Sequence, residues 1–201
     1  LSGPSFSNEV SQSLPTAVTL ATKDRKDFEK ISKLIPNKEF RIYYSNDLIG
    51  TQIGGALKNI YAIAAGVAEG LNLGENAKSA LISRSFAEMT RYAKKFKADK
   101  NTLFGLSGLG DLILTCSSKN SRNTQFGIKL ASSKYDNFLD LLKSQEVTEG
   151  YYTVKAVYNI SQKKNIDMPI MESVYNILYK QHDLKEELSN LLSRPITEEK
   201  I

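Results

Sequence analysis

The sequence predicts a mainly α-helical domain entered through a short α/β segment. Three observations carry this. Apolar residues from Leu57 to Leu71 recur at helical spacing, further helical stripes follow almost to the end of the chain, and a strand–helix–strand pattern is confined to the residues before about Asn46.

In the first segment, Pro15-Thr16-Ala17-Val18-Thr19-Leu20-Ala21 is β-prone and runs into the turn-forming Thr22-Lys23-Asp24. Phe28, Ile31, Leu34 and Ile35 then recur at helical spacing until Pro36, which ends the helix. Phe40-Arg41-Ile42-Tyr43-Tyr44 reads as a second strand. Two strands and one helix cannot cover both faces of a sheet, so residues 1–46 read as the tail end of a larger α/β unit. Residues 47–201 form the expected all-helical domain. Leu57, Ile60, Tyr61, Ala64, Val67, Ala68 and Leu71 mark its first helix. Gly74-Glu75-Asn76 interrupts, with Asn76 as the expected N-cap of a second helix carrying Ile82, Phe86, Met89, Ala93 and Phe96 on one face. Two more helices are expected at about Gly150–Lys164 and Ile170–Lys180, and a last one through Leu184, Leu188, Leu191 and Leu192 before Pro195.

Composition narrows the function classes. Of 201 residues, 41% are apolar and 24% charged, enough for a core and outside the range of disordered chains. The net charge of +5 suits a small anionic substrate as well as RNA. Lys and Arg are dispersed, however, so no nucleic-acid partner is expected. One cysteine and one histidine exclude an internal disulfide framework and argue against a zinc site. Cys116 reads as a small buried hydrophobe, and His182, within Lys180-Gln181-His182-Asp183, as part of a solvated connection. No apolar run approaches the ~20 residues of a membrane helix. The opening Leu1-Ser2-Gly3-Pro4 has no charged leader and reads like the middle of a longer protein, with a reducing cytoplasm as the expected compartment.

Three stretches can carry chemistry. In Gly54-Gly55-Ala56-Leu57-Lys58-Asn59, the lysine has glycines at i−4 and i−3 and Ala62 at i+4, so its surroundings are nearly bare of side chains. Two glycines inside a helix cost about 1 kcal/mol each relative to alanine, so something approaches the backbone there, either a second helix or a ligand. In Gly105-Leu106-Ser107-Gly108-Leu109-Gly110-Asp111-Leu112-Ile113-Leu114-Thr115, a glycine-rich turn delivers one acid into an apolar run. A buried carboxylate needs a partner, either Lys58 or the amides of a helix start. In Asn120-Ser121-Arg122-Asn123, Ser121 is a natural N-cap, and Arg122 adds a planar fork to an anion-favouring helix terminus. An ordinary capped helix has the same pattern.

Together these stretches, with Ser2-Gly3-Pro4-Ser5-Phe6, Thr148-Glu149-Gly150 and Met168-Pro169-Ile170, resemble the bacterial-type NAD(P)-dependent glycerol-3-phosphate dehydrogenases over almost the whole chain. The resemblance implies a helical substrate domain of the 6-phosphogluconate-dehydrogenase C-terminal-like type, preceded by a short remnant of a Rossmann domain. It also implies that Lys58 is the catalytic lysine and that Asp111 lines the substrate pocket and holds that lysine. Ser121, Arg122 and Asn123 would grip the substrate phosphate, with Arg122 also near the cofactor, NAD or NADP. Gly3 and Ser5 match substrate contacts. Ser7, where the family has alanine, would lie near the cofactor together with Val147 and Glu149. No Gly-x-Gly-x-x-Gly occurs, so the nucleotide-binding half is expected outside this sequence, and the isolated chain is expected to be inactive.

The implied reaction interconverts dihydroxyacetone phosphate and sn-glycerol 3-phosphate, feeding glycerophospholipid synthesis, in a protein that is a candidate homodimer. Two other readings predict different things. A β-hydroxyacid dehydrogenase would act on a carboxylate substrate. A non-enzymatic helical binding module would leave Lys58, Asp111 and Arg122 on unrelated surfaces.

Overall fold

The computed structural model describes residues 1–35, 38–132, 148–195 and 198. After a short helix α1 (Ser7–Ser11), strands β1 (Thr16–Ala21) and β2 (Phe40–Ser45) pair in parallel, with Thr16 opposite Phe40 and Ala21 opposite Ser45. The parallel pairing requires a crossover, which α2 (Arg25–Lys33) supplies; Asp24 caps it by accepting from the Lys26 N–H. The second edge of β1 is met by the start of the chain. Ser2 donates to the Thr19 carbonyl at 2.9 Å and accepts from the Thr19 N–H at 2.7 Å. The opening residues are thereby pinned beside the helical region.

That region is built around α3 (Leu48–Gly70). Its sequence is apolar on more than one face, and Leu57, Ile60, Tyr61 and Ile63 are at most 1% exposed. A helix apolar all round belongs in the middle of a bundle. Around it lie α4 (Gly74–Lys95), α5 (Lys100–Phe104), α6 (Asp111–Ser117), α7 (Arg122–Ala131), α8 (Glu149–Lys164) and α9 (Pro169–Lys180), while α10 (Leu184–Leu192) packs against α9. The α3–α7 crossing is a backbone contact. A Cβ on Gly66 would run into the Thr124 carbonyl, and one on Gly127 into the Ile63 carbonyl.

Several expectations are refined. Asn76 is not the cap of α4, because the positive φ of Asn72 (55°) and Gly74 (84°) turns the chain early and the helix starts at Gly74. The glycine-rich stretch before Asp111 is one π-helical turn, Leu106–Gly110, rather than a loose turn. His182 is not merely solvated: its Nδ1 lies 2.7 Å from Glu187 Oε1. Cys116 is buried as expected. Among the described residues no helix is long and apolar enough to cross a membrane.

A second feature lies between α3, α4, α9 and α10, where an apolar groove of about 750 Å³ is lined by residues such as Val67, Leu71, Leu81, Ile177 and Leu188. At its base Glu88, 1% exposed, caps α9. Its Oε1 accepts from the Ile170 N–H at 2.7 Å, and its Oε2 from the Met171 N–H at 3.1 Å and the Tyr61 hydroxyl at 3.4 Å. Pro169 opens that helix and Met168 offers no capping side chain, so a carboxylate from α4 takes the cap's place. Burial pushes the Glu88 carboxyl up to about 7, against the helix amides and Arg91.

Candidate active site

Lys58 sits midway along α3 with its ammonium 2.6 Å from Asp111 Oδ2; the lysine side chain is 22% exposed and the aspartate 4%. The pairing follows from the π-helical turn. That turn packs against α3 at Gly54, where a Cβ would collide with the Ser107 carbonyl, and it delivers Asp111 as the first residue of α6. Gly54 is therefore there for a backbone crossing, not to clear room for a ligand. Gly55 is met by the chain start, with Ser2 Oγ 3.2 Å from where its Cβ would stand.

Burial pushes the Asp111 carboxyl up; the Lys58 charge and hydrogen bond, the Thr115 hydroxyl and a backbone N–H from Gly3 act against that rise. Thr115 Oγ1 donates to the Asp111 carbonyl at 2.6 Å and lies 3.3 Å from its Oδ1. Gly3 is required for the approach of the opening segment. Its φ is 144°, and a Cβ would stand 3.1 Å from Val18 Cα. Ser5 turns back to donate to the Gly3 carbonyl at 3.0 Å. Ser7 is exposed at the first position of α1.

Ser121 caps α7 as expected, accepting from the Thr124 N–H at 3.2 Å. Arg122 is exposed in the first turn and Asn123 is buried. The Asn123 amide is engaged at both ends: Nδ2 donates to Asn59 Oδ1 at 3.1 Å, and Oδ1 accepts from the Gly150 N–H at 3.0 Å. Glu149, exposed at the start of α8, accepts from Asn59 Nδ2 at 2.9 Å. Val147 lies outside the described residues. Lys58, Asp111, Ser121, Asn123, Glu149 and Gly3 are thus drawn into one bonded neighbourhood, and Arg122 stands in the chain between two of its members. Ser7 makes no bond that ties it to that cluster. Residue typing missed Asn59, Thr115, Thr124 and Gly150. Asn59 and Gly150 have partners far away in the chain, whereas Thr115 and Thr124 bond within nine residues, to Asp111, Ser121 and each other.

What the fold and site define is a helical domain in which a lysine on the central helix is held by a buried acid beside a capped helix start. The model of the NAD-dependent glycerol-3-phosphate dehydrogenase C-terminus matches residues 47–189. A glycerol-3-phosphate dehydrogenase of Solidesulfovibrio magneticus, named for NAD(P)+, is 47% identical over 200 residues, covering 99% of this chain and 60% of the relative. One from Colwellia psychrerythraea is 44% identical over 195 residues. The crystal structure of the Coxiella burnetii glycerol-3-phosphate dehydrogenase superposes with a TM-score of 0.91 at 39% identity, over 96% of this chain and 59% of that one. The Saccharomyces cerevisiae enzyme does so with a TM-score of 0.82 at 27% identity. The chain belongs to the glycerol-3-phosphate dehydrogenase family, in its C-terminal domain. It spans about 60% of the length of the curated relatives it matches.

Proposed function

We propose that this chain supplies the substrate-binding and catalytic groups for the NAD(P)-linked interconversion of dihydroxyacetone phosphate and sn-glycerol 3-phosphate. The observation that carries the reading is the 2.6 Å Lys58–Asp111 pair, whose lysine keeps a solvent-facing side while its acid is buried. Reducing the C2 carbonyl builds negative charge on oxygen. The Lys58 ammonium stabilises that charge and donates the proton; in the reverse direction the amine takes the proton from the C2 hydroxyl. Asp111 fixes where the ammonium stands. Gly3 and Thr115 in turn hold the carboxylate, against the effect of burial.

The phosphate is assigned to the start of α7. Arg122 offers its guanidinium, Ser121 terminates the helix, and the first-turn amides, including that of Asn123, point toward an anion. Anchoring a group remote from C2 uses binding energy to orient the carbonyl. Gly3 and Ser5 are assigned to the same substrate.

NAD or NADP fits the described residues at one end only. No Gly-x-Gly-x-x-Gly cradle for the pyrophosphate is present, but the exposed Ser7 hydroxyl, Glu149 carboxylate and Arg122 guanidinium are assigned to a carboxamide or ribose of the cofactor. Val147 belongs to the same assignment. The chemistry a bound nicotinamide supplies is hydride exchange with C2. The reading includes residues 1–46 as the end of a nucleotide-binding domain and 47–201 as the substrate domain. It places the protein in cytoplasmic glycerophospholipid synthesis as a homodimer, a state supported by the apolar groove that a second copy would cover.

The test is kinetic, in a full-length version that also carries the nucleotide-binding half. Arg122→Lys keeps the charge and loses the fork, and Arg122→Ala loses both. With dihydroxyacetone phosphate, the alanine variant is expected to lose about ten- to a hundredfold in kcat/KM, and the lysine variant less. With unphosphorylated dihydroxyacetone the loss is expected to be small. Equal losses on the two substrates would remove the phosphate from this site.

A further inference from the structure

Folding gathers six lysines at one end of the molecule. α4 closes with Lys94 and Lys95, Lys97 follows its C-cap, and Lys100 opens α5. α8 closes with Lys163 and Lys164, and the Lys164 ammonium stands 5.1 Å from the centre of the Phe96 ring, which joins the two helix ends. All six are exposed, and none makes an ion pair with a described residue. Two carboxylates stand beside them, and both are taken up by backbone. Asp99 accepts from the Asn101 N–H at 2.9 Å, and Asp47 from the Gly50 and Asp99 N–H groups at 2.9 and 2.8 Å. Asp167, just past α8, is held by Arg91 and Arg194. Six lysines against two acids leave a formal excess of four, most of the +5 carried by the whole chain. The helix dipole explains only part of this. Lysines in the last turns of α4 and α8 complement the negative helix end. Lys97 and Lys100 have no such reason. Lys97 has a φ of 57°, in the left-handed region that glycine or asparagine usually takes after a helix, and Lys100 stands at the helix end that favours an anion. Both charge the surface against local preference.

We propose that this end of the molecule is a docking surface for an anionic lipid bilayer, with the six lysines on the headgroups and Phe104 at the acyl boundary. Phe104 is 47% exposed, and the Lys100 ammonium lies 5.5 Å from its ring centre. A ring beside a long cationic stem suits an interface where apolar and wet layers meet, since the ring enters while the ammonium reaches back to the phosphates. The residue types favour lipid over nucleic acid. The patch is lysine throughout, a point charge suited to a fluid array of headgroups, and it lacks the guanidinium fork that grips phosphate and bases bidentately. One exposed ring provides no series of platforms for successive bases. The attraction is reversible and acts over about 8 Å at physiological salt. Each lysine near an anionic leaflet multiplies the partition onto it about fivefold.

The experiment is flotation of the full-length protein with vesicles of phosphatidylglycerol and phosphatidylethanolamine, beside vesicles of phosphatidylcholine alone. Wild type is expected to float with the anionic vesicles at low salt, to be released as salt is raised, and to stay in the buffer with phosphatidylcholine. Lys97→Gln/Lys100→Gln should weaken the partition about twenty- to thirtyfold. Lys30→Gln/Lys33→Gln makes the same change of charge on the exposed face of α2 and should leave the partition nearly unchanged. Equal losses in the two double variants would reduce the effect to net charge and overturn the surface. So would binding to phosphatidylcholine as tight as to the anionic vesicles. Wild type that bound polyuridylate but not anionic vesicles would make the patch a nucleic-acid face, and wild type that bound neither would remove the docking surface altogether.

Discussion

Two carboxylates in this domain are buried to nearly the same degree, Asp111 at 3% and Glu88 at 1% exposure, and they are bonded by residues only three apart on α3, Lys58 and Tyr61. Their partners differ in kind. Asp111 answers to an ammonium on a flexible stem that keeps contact with solvent, whereas Glu88 answers to two backbone amides of α9 that cannot move without the helix. The first arrangement leaves a charged group that can be redirected to a ligand. The second fastens one element to another. Burial and charge alone do not mark a reactive acid; the mobility of its partner separates the two.

The largest expected effect tests the reactive side of this contrast. Lys58→Ala should lower kcat by about 10²- to 10⁴-fold, the range for loss of a general acid. The fold should survive, because the lysine side chain reaches solvent and Asp111 keeps its bonds to Thr115 and to the Gly3 backbone. Steady-state kinetics beside a thermal melt would check both halves, and a near-normal kcat would take Lys58 out of the mechanism.

The fastening side predicts a pH signature. The Glu88 carboxyl stands at about 7 in the folded protein against an ordinary 4.5, so the folded state holds the proton more tightly than the unfolded one. Its contribution is therefore fully present below about 4.5 and is lost as pH rises through about 7. The loss amounts to roughly 3 kcal/mol. Glu88→Gln removes that titration, and its melting temperature should be flatter than that of wild type across the same window. Parallel curves would contradict the assignment.

A smaller effect is expected beside Glu88, at Ser85. Its hydroxyl is fully buried with no hydrogen-bond partner among the described residues. Ser85→Ala should raise stability by about 1 kcal/mol, since it removes an unpaired polar group and little volume. A denaturant titration showing a loss instead would reveal a partner for that oxygen.

Much of this was legible in the sequence where the signal is local. The helices of the second region follow apolar periodicity, and α8 and α9 begin within one residue of where the pattern placed them. Ser121 caps α7 because capping is a matter of three neighbouring residues. The Lys58–Asp111 pair was one of two alternatives until folding brought together residues 53 positions apart. Long-range pairings stayed hidden. No local pattern singles out Glu88, and only the meeting of α4 with the start of α9 makes it a cap. Gly54 reads equally as ligand clearance or as packing, and the Ser107 carbonyl decides for packing. The π-helical turn, too, leaves no mark in periodicity, because five residues are too few to register one.

The crossing of α3 and α7 at Gly66 and Gly127 has a mechanical consequence. Where two helices meet through side chains, they can slip by exchanging rotamers, one ridge past the next. Here, at Gly66 and Gly127, backbone rests on backbone, and those two positions have no side chains to exchange. The pair behaves as a welded joint rather than a sliding bearing. Any opening or closing around Lys58 is therefore confined to the elements that flank the pair, and the spacing between the lysine helix and the anion-facing start of α7 stays constant while they move.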